Sequence, residues 1–200
     1  VGYRDGLRLS VQALRHELPQ AEPDQPAVEL GSSSVVLATA GARGITAIIA
    51  QEIAARTKAT FILLGRTALS DAEEDPSTAS IDDALQLRKH VASQLRNSGE
   101  TCTPKEVDGH VRRLLANREI RRTIEVIRAA GSRVEYVPCD VRDTAALAMV
   151  VHDVQARYGH IDGVIHGAGV IEDHYIEDKT AASFDRVIGT KIDPVINLVE

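Results

Sequence analysis

The sequence predicts an α/β fold: a doubly wound, Rossmann-like parallel sheet with a helical insertion after the second strand. Short apolar runs alternate with longer segments of helical periodicity, and turns of small residues follow several of the runs. About seventy residues separate the second run from the third, although one crossover helix needs far fewer. The excess length predicts the insertion.

The strands are predicted from four apolar runs of the kind that parallel sheets bury on both faces. They lie at residues 34–39, 60–64, 133–138 and 161–166. Gly41 and Gly44 follow the first run, and helical periodicity begins directly afterwards. The side of this helix that faces the sheet is predicted to consist of Ile45, Ile48, Ile49 and Ile53.

The insertion is predicted to span residues 68–117 and to be folded. An acidic loop at 71–80 opens it, and the spacing of Ile81, Leu85, Val91 and Leu95 predicts one helix. Thr103-Pro104-Lys105-Glu106 has the composition of a capping box with proline at the first helical position, which predicts the start of another. A separate helix, Glu119 to Ala130, ending at Gly131, is expected to be the crossover of the sheet. Because the insertion helices have apolar stripes, they should pack on each other or on the body of the domain.

The N-terminal segment, residues 1–32, is predicted to form a hairpin or edge strand around Arg4-Asp5-Gly6, followed by a linker rich in proline, glutamate and serine. Residues 33–200 form the main domain. The chain starts with valine and stops at Glu200 inside a helical pattern, so we expect it to be part of a longer protein.

Composition restricts the function classes. The net charge is −6 and the basic residues form no stripe among aromatic ones, which argues against nucleic-acid binding. No apolar stretch could span a bilayer, and the first ten residues, VGYRDGLRLS, lack the charged-then-apolar layout of a signal peptide. A cytoplasmic location is therefore expected, and no membrane partner. Cys102 and Cys139 have no C-x-x-C partner, and the histidines have no spacing typical of a metal site.

The segment from Val35 to Thr46 is typical of a cradle for a dinucleotide phosphate. A buried strand, a turn of small residues and a helix N-terminus present free N–H groups and a helix dipole to an anion. Two glycines alone fit a plain turn equally well. Arg66 follows the second strand, where an arginine favours a 2′-phosphate over a ribose hydroxyl, and Arg43 adds a second cation. The pair predicts NADPH, and two surface arginines remain the alternative.

Two more segments follow strands at the edge where open α/β sheets bind ligands. They are Cys139-Asp140-Val141 and His166-Gly167-Ala168-Gly169. The second leaves space for a flat ring or a ribose, although a plain turn is the alternative reading.

Together these motifs resemble the short-chain dehydrogenase/reductase family over roughly residues 33 to 200. Within it, GVIHGAGVIED, SFDRVIGTKID and the insertion after LLGRT look most like ketoreductase domains of type I polyketide and polyunsaturated fatty acid synthases. The resemblance implies reduction of a 3-ketoacyl thioester on an acyl carrier protein, next to other synthase domains, and a catalytic role for Lys191. It implies that the cofactor contacts are Thr39, Gly41, Ala42, Arg43, Gly44, Ile45, Arg66, Asp140, Val141, Gly167, Ala168 and Gly169.

The chain departs from the family pattern in several places. In T-A-G-A-R-G-I-T, at Thr39–Thr46, Ala40 and Thr46 replace the first and last glycines of the family's T-G-x-x-x-G-x-G turn. Pro194, three residues beyond Lys191, should kink the helix that contains Lys191 and shift this lysine. Tyr175 has the family's Y-x-x-x-K spacing but comes too early, so the catalytic serine and tyrosine are expected on a later strand and helix. We therefore expect these 200 residues alone to be inactive. The alternative function is a non-catalytic structural or docking subdomain of a synthase.

Overall fold

A computed structural model describes residues 2–9, 29–70, 72–98 and 103–199. At the N-terminus, β1 (Gly2–Arg4) and β2 (Leu7–Leu9) form an antiparallel hairpin. Its turn residues, Asp5 and Gly6, both have positive φ, as two-residue hairpin loops require. The predicted hairpin is therefore confirmed, whereas most of the predicted linker and Cys102 lie outside the described residues.

The main sheet has four parallel strands in the order β5-β4-β3-β6. The strands are β3 (Val35–Thr39), β4 (Thr60–Gly65), β5 (Val134–Pro138) and β6 (Gly163–His166), each within two residues of its predicted bounds. The chain moves outward from β3 through β4 to β5 and then returns to the other side of β3. A topological switch point therefore lies between β3 and β6, where the carboxyl ends of strands leave a crevice.

Helices cover both faces of the sheet, as the predicted doubly wound fold requires. On one face, α1 (Gly44–Thr57) and α4 (Pro104–Ala129) pack on Val36, Phe61 and Leu63. On the other, α5 (Thr144–Tyr158) and α7 (Asp193–Val199) enclose a second apolar cluster. Its buried members are Val35, Leu37, Ile62, Leu64, Val141, Leu147 and Val154.

The predicted sheet-facing side of α1 is wrong. Ile45 and Ile48 are 78% and 66% exposed, Ile49 is exposed as well, and only Ile53 reaches the core in part. The opposite side packs instead, through Thr46, Ala47, Ala50 and Ala54. Alanine brings the helix backbone closer to the strands than isoleucine allows, so small residues rather than large ones define this interface.

The insertion contains α2 (Pro76–Ala79), which interrupts the predicted acidic loop, and α3 (Ala84–Asn97). The capping box at Thr103 and Glu106 is present, with both reciprocal hydrogen bonds. The helices pack on each other as predicted, but Leu85 is exposed and Leu87 is buried in its place. The cluster between α3 and α4 has Leu87, Val91, Val107 and Val111 at its centre.

A second correction concerns α4, which is one continuous helix of 26 residues where the sequence predicted two. It ends as predicted just before Gly131, whose φ is +89°. Val107 packs in the insertion and Ile120 packs on the sheet. At 100° per residue these two side chains lie about 140° apart around the axis, so the apolar stripe changes sides along the helix.

Between β6 and α7 the chain forms a short 3-10 helix (Ile176–Asp178) and α6 (Ala181–Lys191). Thr180 caps α6, as predicted, by accepting a hydrogen bond from the N–H of Ser183 at 3.1 Å. The expected interruption near Pro194 is present, because α6 stops at Lys191 and α7 begins at Asp193. Among the helices in the described ranges, none combines the length and apolar composition that a bilayer span requires.

Candidate functional site

The turn after β3 is tightly folded on the strand. Ala40 has φ +52°, in the left-handed region that favours glycine, so the residue that departs from the family pattern adopts a glycine-like backbone. A Cβ on Gly41 would lie 2.6 Å from Ala38 Cβ, which excludes any larger residue without movement. Gly44 has φ +61° and open space where a Cβ would be, so its backbone can be approached closely by a ligand.

Thr39 joins the end of β3 to the glycine-rich turn after β6. Its buried Oγ1 accepts hydrogen bonds from the N–H groups of Gly167 at 3.1 Å and Ala168 at 3.2 Å. Thr39 Oγ1 also lies 2.8 Å from His166 Nδ1, within hydrogen-bond distance. The other ring nitrogen of His166, Nε2, is buried without a hydrogen-bond partner among the described residues.

Gly167 is required by packing as well as by its place in the turn. A Cβ there would lie 2.0 Å from Thr46 Oγ1 and 2.8 Å from Thr46 Cβ. Thr46, the second departure from the family pattern, therefore occupies the space that a side chain at residue 167 would need.

A cavity of about 340 Å³, here called the Arg43–Arg66 cavity, opens at the carboxyl ends of β3 and β4. Arg66 is exposed at the end of β4, and Arg43 precedes α1. The two arginines that predicted a 2′-phosphate thus line one cavity. Its lining is Ala40, Ala42, Arg43, Gly44, Leu64, Gly65, Arg66, Thr67, Glu119 and Tyr136.

Glu119 is the functional candidate that the sequence analysis missed. Its Oε1 accepts a hydrogen bond from the N–H of Gly44 at 2.7 Å, and its Oε2 accepts one from Arg43 Nε at 2.8 Å. Burial opposes ionisation of Glu119, but these hydrogen bonds and the Arg43 charge outweigh it, and the net effect lowers its pKa. The N-terminus of α1 therefore already holds an anion, supplied by α4.

A smaller cavity of about 90 Å³, here called the Asp140 cavity, adjoins Arg66 and the end of β5. Asp140 accepts hydrogen bonds from Arg142 Nε at 3.0 Å and Arg142 Nη2 at 2.6 Å. Hydrogen bonding to Arg142 holds the pKa of Asp140 below its ordinary value. Burial raises the pKa of the Cys139 thiol. Val141, Ala168, Gly169 and Thr190 complete the lining with Ala40, Leu64 and Gly65.

The third opening, the Lys191 cavity, lies beyond the glycine-rich turn and measures about 470 Å³. Lys191 is exposed at the C-terminal end of α6, and its Cε would lie 3.4 Å from a Cβ on Gly169. Lys191 and His166 are the titratable side chains in its lining, with residues 167–171. Tyr175 is 78% exposed outside this lining, and Lys179 Nζ donates to the Glu172 carbonyl.

The structure thus gathers most of the predicted site residues at one edge of the sheet, around the three cavities. Thr39 supports that edge from a buried position, whereas Ile45 is exposed outside the cavity linings. Within the described parts of the chain, no three His, Cys, Asp or Glu side chains come together as a metal site would require.

A family model described as "KR domain" matches residues 34–200. The chain is 33% identical over 202 residues to a polyunsaturated fatty acid synthase of Thraustochytrium sp., covering 97% of this chain and 7% of that protein. It is 26% identical over 203 residues to polyketide synthase PksN of Bacillus subtilis, covering 100% and 3% respectively. The chain therefore spans a small part of the length of these relatives.

Solved structures give the same architecture. An N-terminal ketoreductase from the macrolactin assembly line aligns with a TM-score of 0.58 at 20% identity, covering 90% of this chain and 27% of that one. A ketoreductase domain from the bacillaene assembly line aligns with a TM-score of 0.58 at 24% identity, covering 88% and 31%. At these identities the structural similarity establishes the fold, and the match to the family model establishes family membership.

Proposed function

Because the chain belongs to the KR, or ketoreductase, domain family of the short-chain dehydrogenase/reductase type, we propose that it is the NADPH-binding part of a β-ketoacyl reductase domain. The observation that supports this most is the convergence of four strand ends on three neighbouring cavities. Each cavity provides groups that one part of a dinucleotide requires. The Arg43–Arg66 cavity has cations and a helix N-terminus for phosphate, and the Asp140 cavity has a carboxylate beside an apolar surface for adenine. The Lys191 cavity has a glycine-rich opening next to a lysine for the nicotinamide ribose.

The residues present fit such a cofactor. The hydrogen-bond donors of Arg43 and Gly44 already bind the carboxylate of Glu119, which supports anion binding at the N-terminus of α1. Arg66 lies in the same cavity and supplies the charge that favours a 2′-phosphate. Asp140 and Val141 would border the adenine, and Gly167, Ala168 and Gly169 would leave room for the nicotinamide ribose.

When bound, the reduced nicotinamide supplies the hydride that adds to the carbonyl carbon of the substrate. An acid must then supply a proton to the developing alkoxide. Lys191, at the rim of its cavity, would hold the cofactor ribose and the network that feeds this proton. The Thr39 hydrogen bonds fix the turn that forms the opposite wall.

We further propose that the substrate is a 3-ketoacyl thioester presented by an acyl carrier protein, within a multidomain polyketide or fatty acid synthase of the cytoplasm. The support is the likeness of this chain to segments of two large synthases. The neighbouring domains of the synthase are the other expected partners.

The decisive experiment measures cofactor binding and turnover in the intact protein. NADPH should bind more tightly than NADH by calorimetry, and Arg66→Gln should weaken NADPH binding by about tenfold or more, since a charge-assisted contact is lost. Arg112→Gln, at an exposed position on α4, is the matched control.

Turnover is followed as oxidation of NADPH in the presence of a 3-ketoacyl thioester. Lys191→Met should lower the rate, whereas Lys89→Met, on the exposed side of α3, should not. Equal affinity for NADPH and NADH would contradict the assignment of the arginines. Absence of reduction in the intact protein would favour the non-catalytic structural or docking role instead.

A further inference from the structure

The N-terminus of α1 has no capping side chain of its own. Its N-cap residue is Arg43, which can donate hydrogen bonds but cannot accept them, and no side-chain cap is formed there. Glu119, 75 residues away in sequence, supplies the missing acceptor to Gly44. Its second oxygen pairs with Arg43. The Glu119 carboxylate thus accepts the hydrogen bond of the Gly44 N–H group and also pairs with the Arg43 guanidinium at the N-terminus of α1.

These two donors are also the ones that a cofactor phosphate would use in the Arg43–Arg66 cavity. Glu119 lines that cavity, and its side chain is 41% exposed, so the carboxylate lies at the wall where a ligand enters. A phosphate placed there would meet a negative charge at close range, and like charges at such distances cost several kcal/mol before screening. A neutral ribose hydroxyl would instead find a hydrogen-bond acceptor.

The usual arrangement in this fold places an acidic residue after the second strand of the sheet when the ribose hydroxyl is to be bound, and an arginine when a 2′-phosphate is bound. Here the arginine follows that strand as Arg66, and a carboxylate reaches the same cavity from α4. The cavity therefore contains a cation that favours the 2′-phosphate of NADPH and a carboxylate that favours the ribose hydroxyl of NADH.

We propose that Glu119 is a specificity-determining residue that restrains the preference for NADPH over NADH, by holding Arg43 and by repelling the 2′-phosphate. This inference rests on the proposed function. Glu119 is charged at neutral pH, as a carboxylate with its ordinary pKa already is, and, despite burial, hydrogen bonds to Arg43 and Gly44 lower that pKa further.

The test measures the dissociation constants of NADPH and NADH by calorimetry on the intact protein. Glu119→Gln removes the charge but retains an oxygen that can accept the Gly44 hydrogen bond, whereas Glu119→Ala removes both. Glu125→Gln, on the same helix and exposed, is the matched control. Because both cofactors are measured on each sample, the ratio of their dissociation constants is insensitive to the folded fraction.

We expect both Glu119 variants to bind NADPH more tightly and NADH almost unchanged, so that the ratio widens by about tenfold, with no change in Glu125→Gln. An unchanged ratio, or an equal gain for both cofactors, would overturn the inference while the proposed function stands. If neither cofactor binds to the parent protein or the variants, both the proposed function and this inference fail.

Discussion

Replacing Gly167 by alanine should destabilise the domain through a single identifiable clash. The added Cβ would lie 2.0 Å from Thr46 Oγ1, 2.7 Å from its Cγ2 and 2.8 Å from its Cβ. Rotation about χ1 can move the first two atoms but not the third, which is attached to the α1 backbone. The end of β6 and the start of α1 must therefore separate.

The cost of such overpacking is about 1–3 kcal/mol, and three contacts below 3.0 Å with the buried Thr46 side chain place Gly167→Ala near the upper limit. Thr46→Gly removes all three clashing atoms, and alone should cost about 1 kcal/mol because glycine weakens a helix. In that background Gly167→Ala should add little, which gives a coupling energy of about 2 kcal/mol. Gly163→Ala is the matched control within β6, since its Cβ would come no closer than 3.8 Å to Val36.

The assay is urea unfolding followed by far-UV circular dichroism, since the chain contains no tryptophan. Free energies of unfolding are measured for the parent, both single variants, the double variant and the control. Additive effects of the two substitutions, or a Gly167→Ala variant as stable as Gly163→Ala, would refute the packing explanation. Either result would leave the glycine explained by ligand access alone.

Three further predictions concern other parts of the site and the insertion. Thr39→Val should cost about 1–2 kcal/mol in urea unfolding, because Ala168 N–H and His166 Nδ1 lose their partner while Gly167 N–H keeps the Thr39 carbonyl, whereas Thr39→Ser should retain most of the stability. Glu74→Gln should cost about 1–2 kcal/mol at pH 7, because the 14% exposed Glu74 side chain pairs with Arg118. That hydrogen bond lowers the pKa of folded Glu74 below 4.5, so the difference from the parent should shrink as the pH of the unfolding experiment falls through the lowered pKa. Tyr175→Phe should leave NADPH oxidation by the intact protein unchanged, and a lost rate would show that this tyrosine is the proton donor.

The strands and the switch point could be predicted from the sequence because their signals are local. An apolar run such as Val35 to Thr39 is buried on both faces wherever it occurs in a parallel sheet, and the turn residues after it mark the edge. The carboxyl ends of the strands then fix where Arg66, Asp140 and Gly169 come together. The sequence alone therefore predicts that these residues lie at one edge of the sheet.

The wrong predictions for the sheet-facing side of α1 and for the length of α4 have a different origin. Periodicity gives the apolar side of a helix, but it does not tell which side faces the sheet when the other side consists of alanine. In α1 the alanine side packs, and Ile45 and Ile48 are left exposed. In α4 the apolar stripe changes sides between Val111 and Ile120, so one continuous helix with two partners has the sequence pattern of two helices.

Glu119 could not be predicted because nothing near it in sequence indicates its partners. It lies in the middle of α4, and its neighbour Arg118 points to the insertion, where it donates to Glu74 Oε1 at 2.7 Å. Glu119 turns the other way, to Gly44 and Arg43. Because α4 is continuous, it places these adjacent residues between the insertion and the N-terminus of α1.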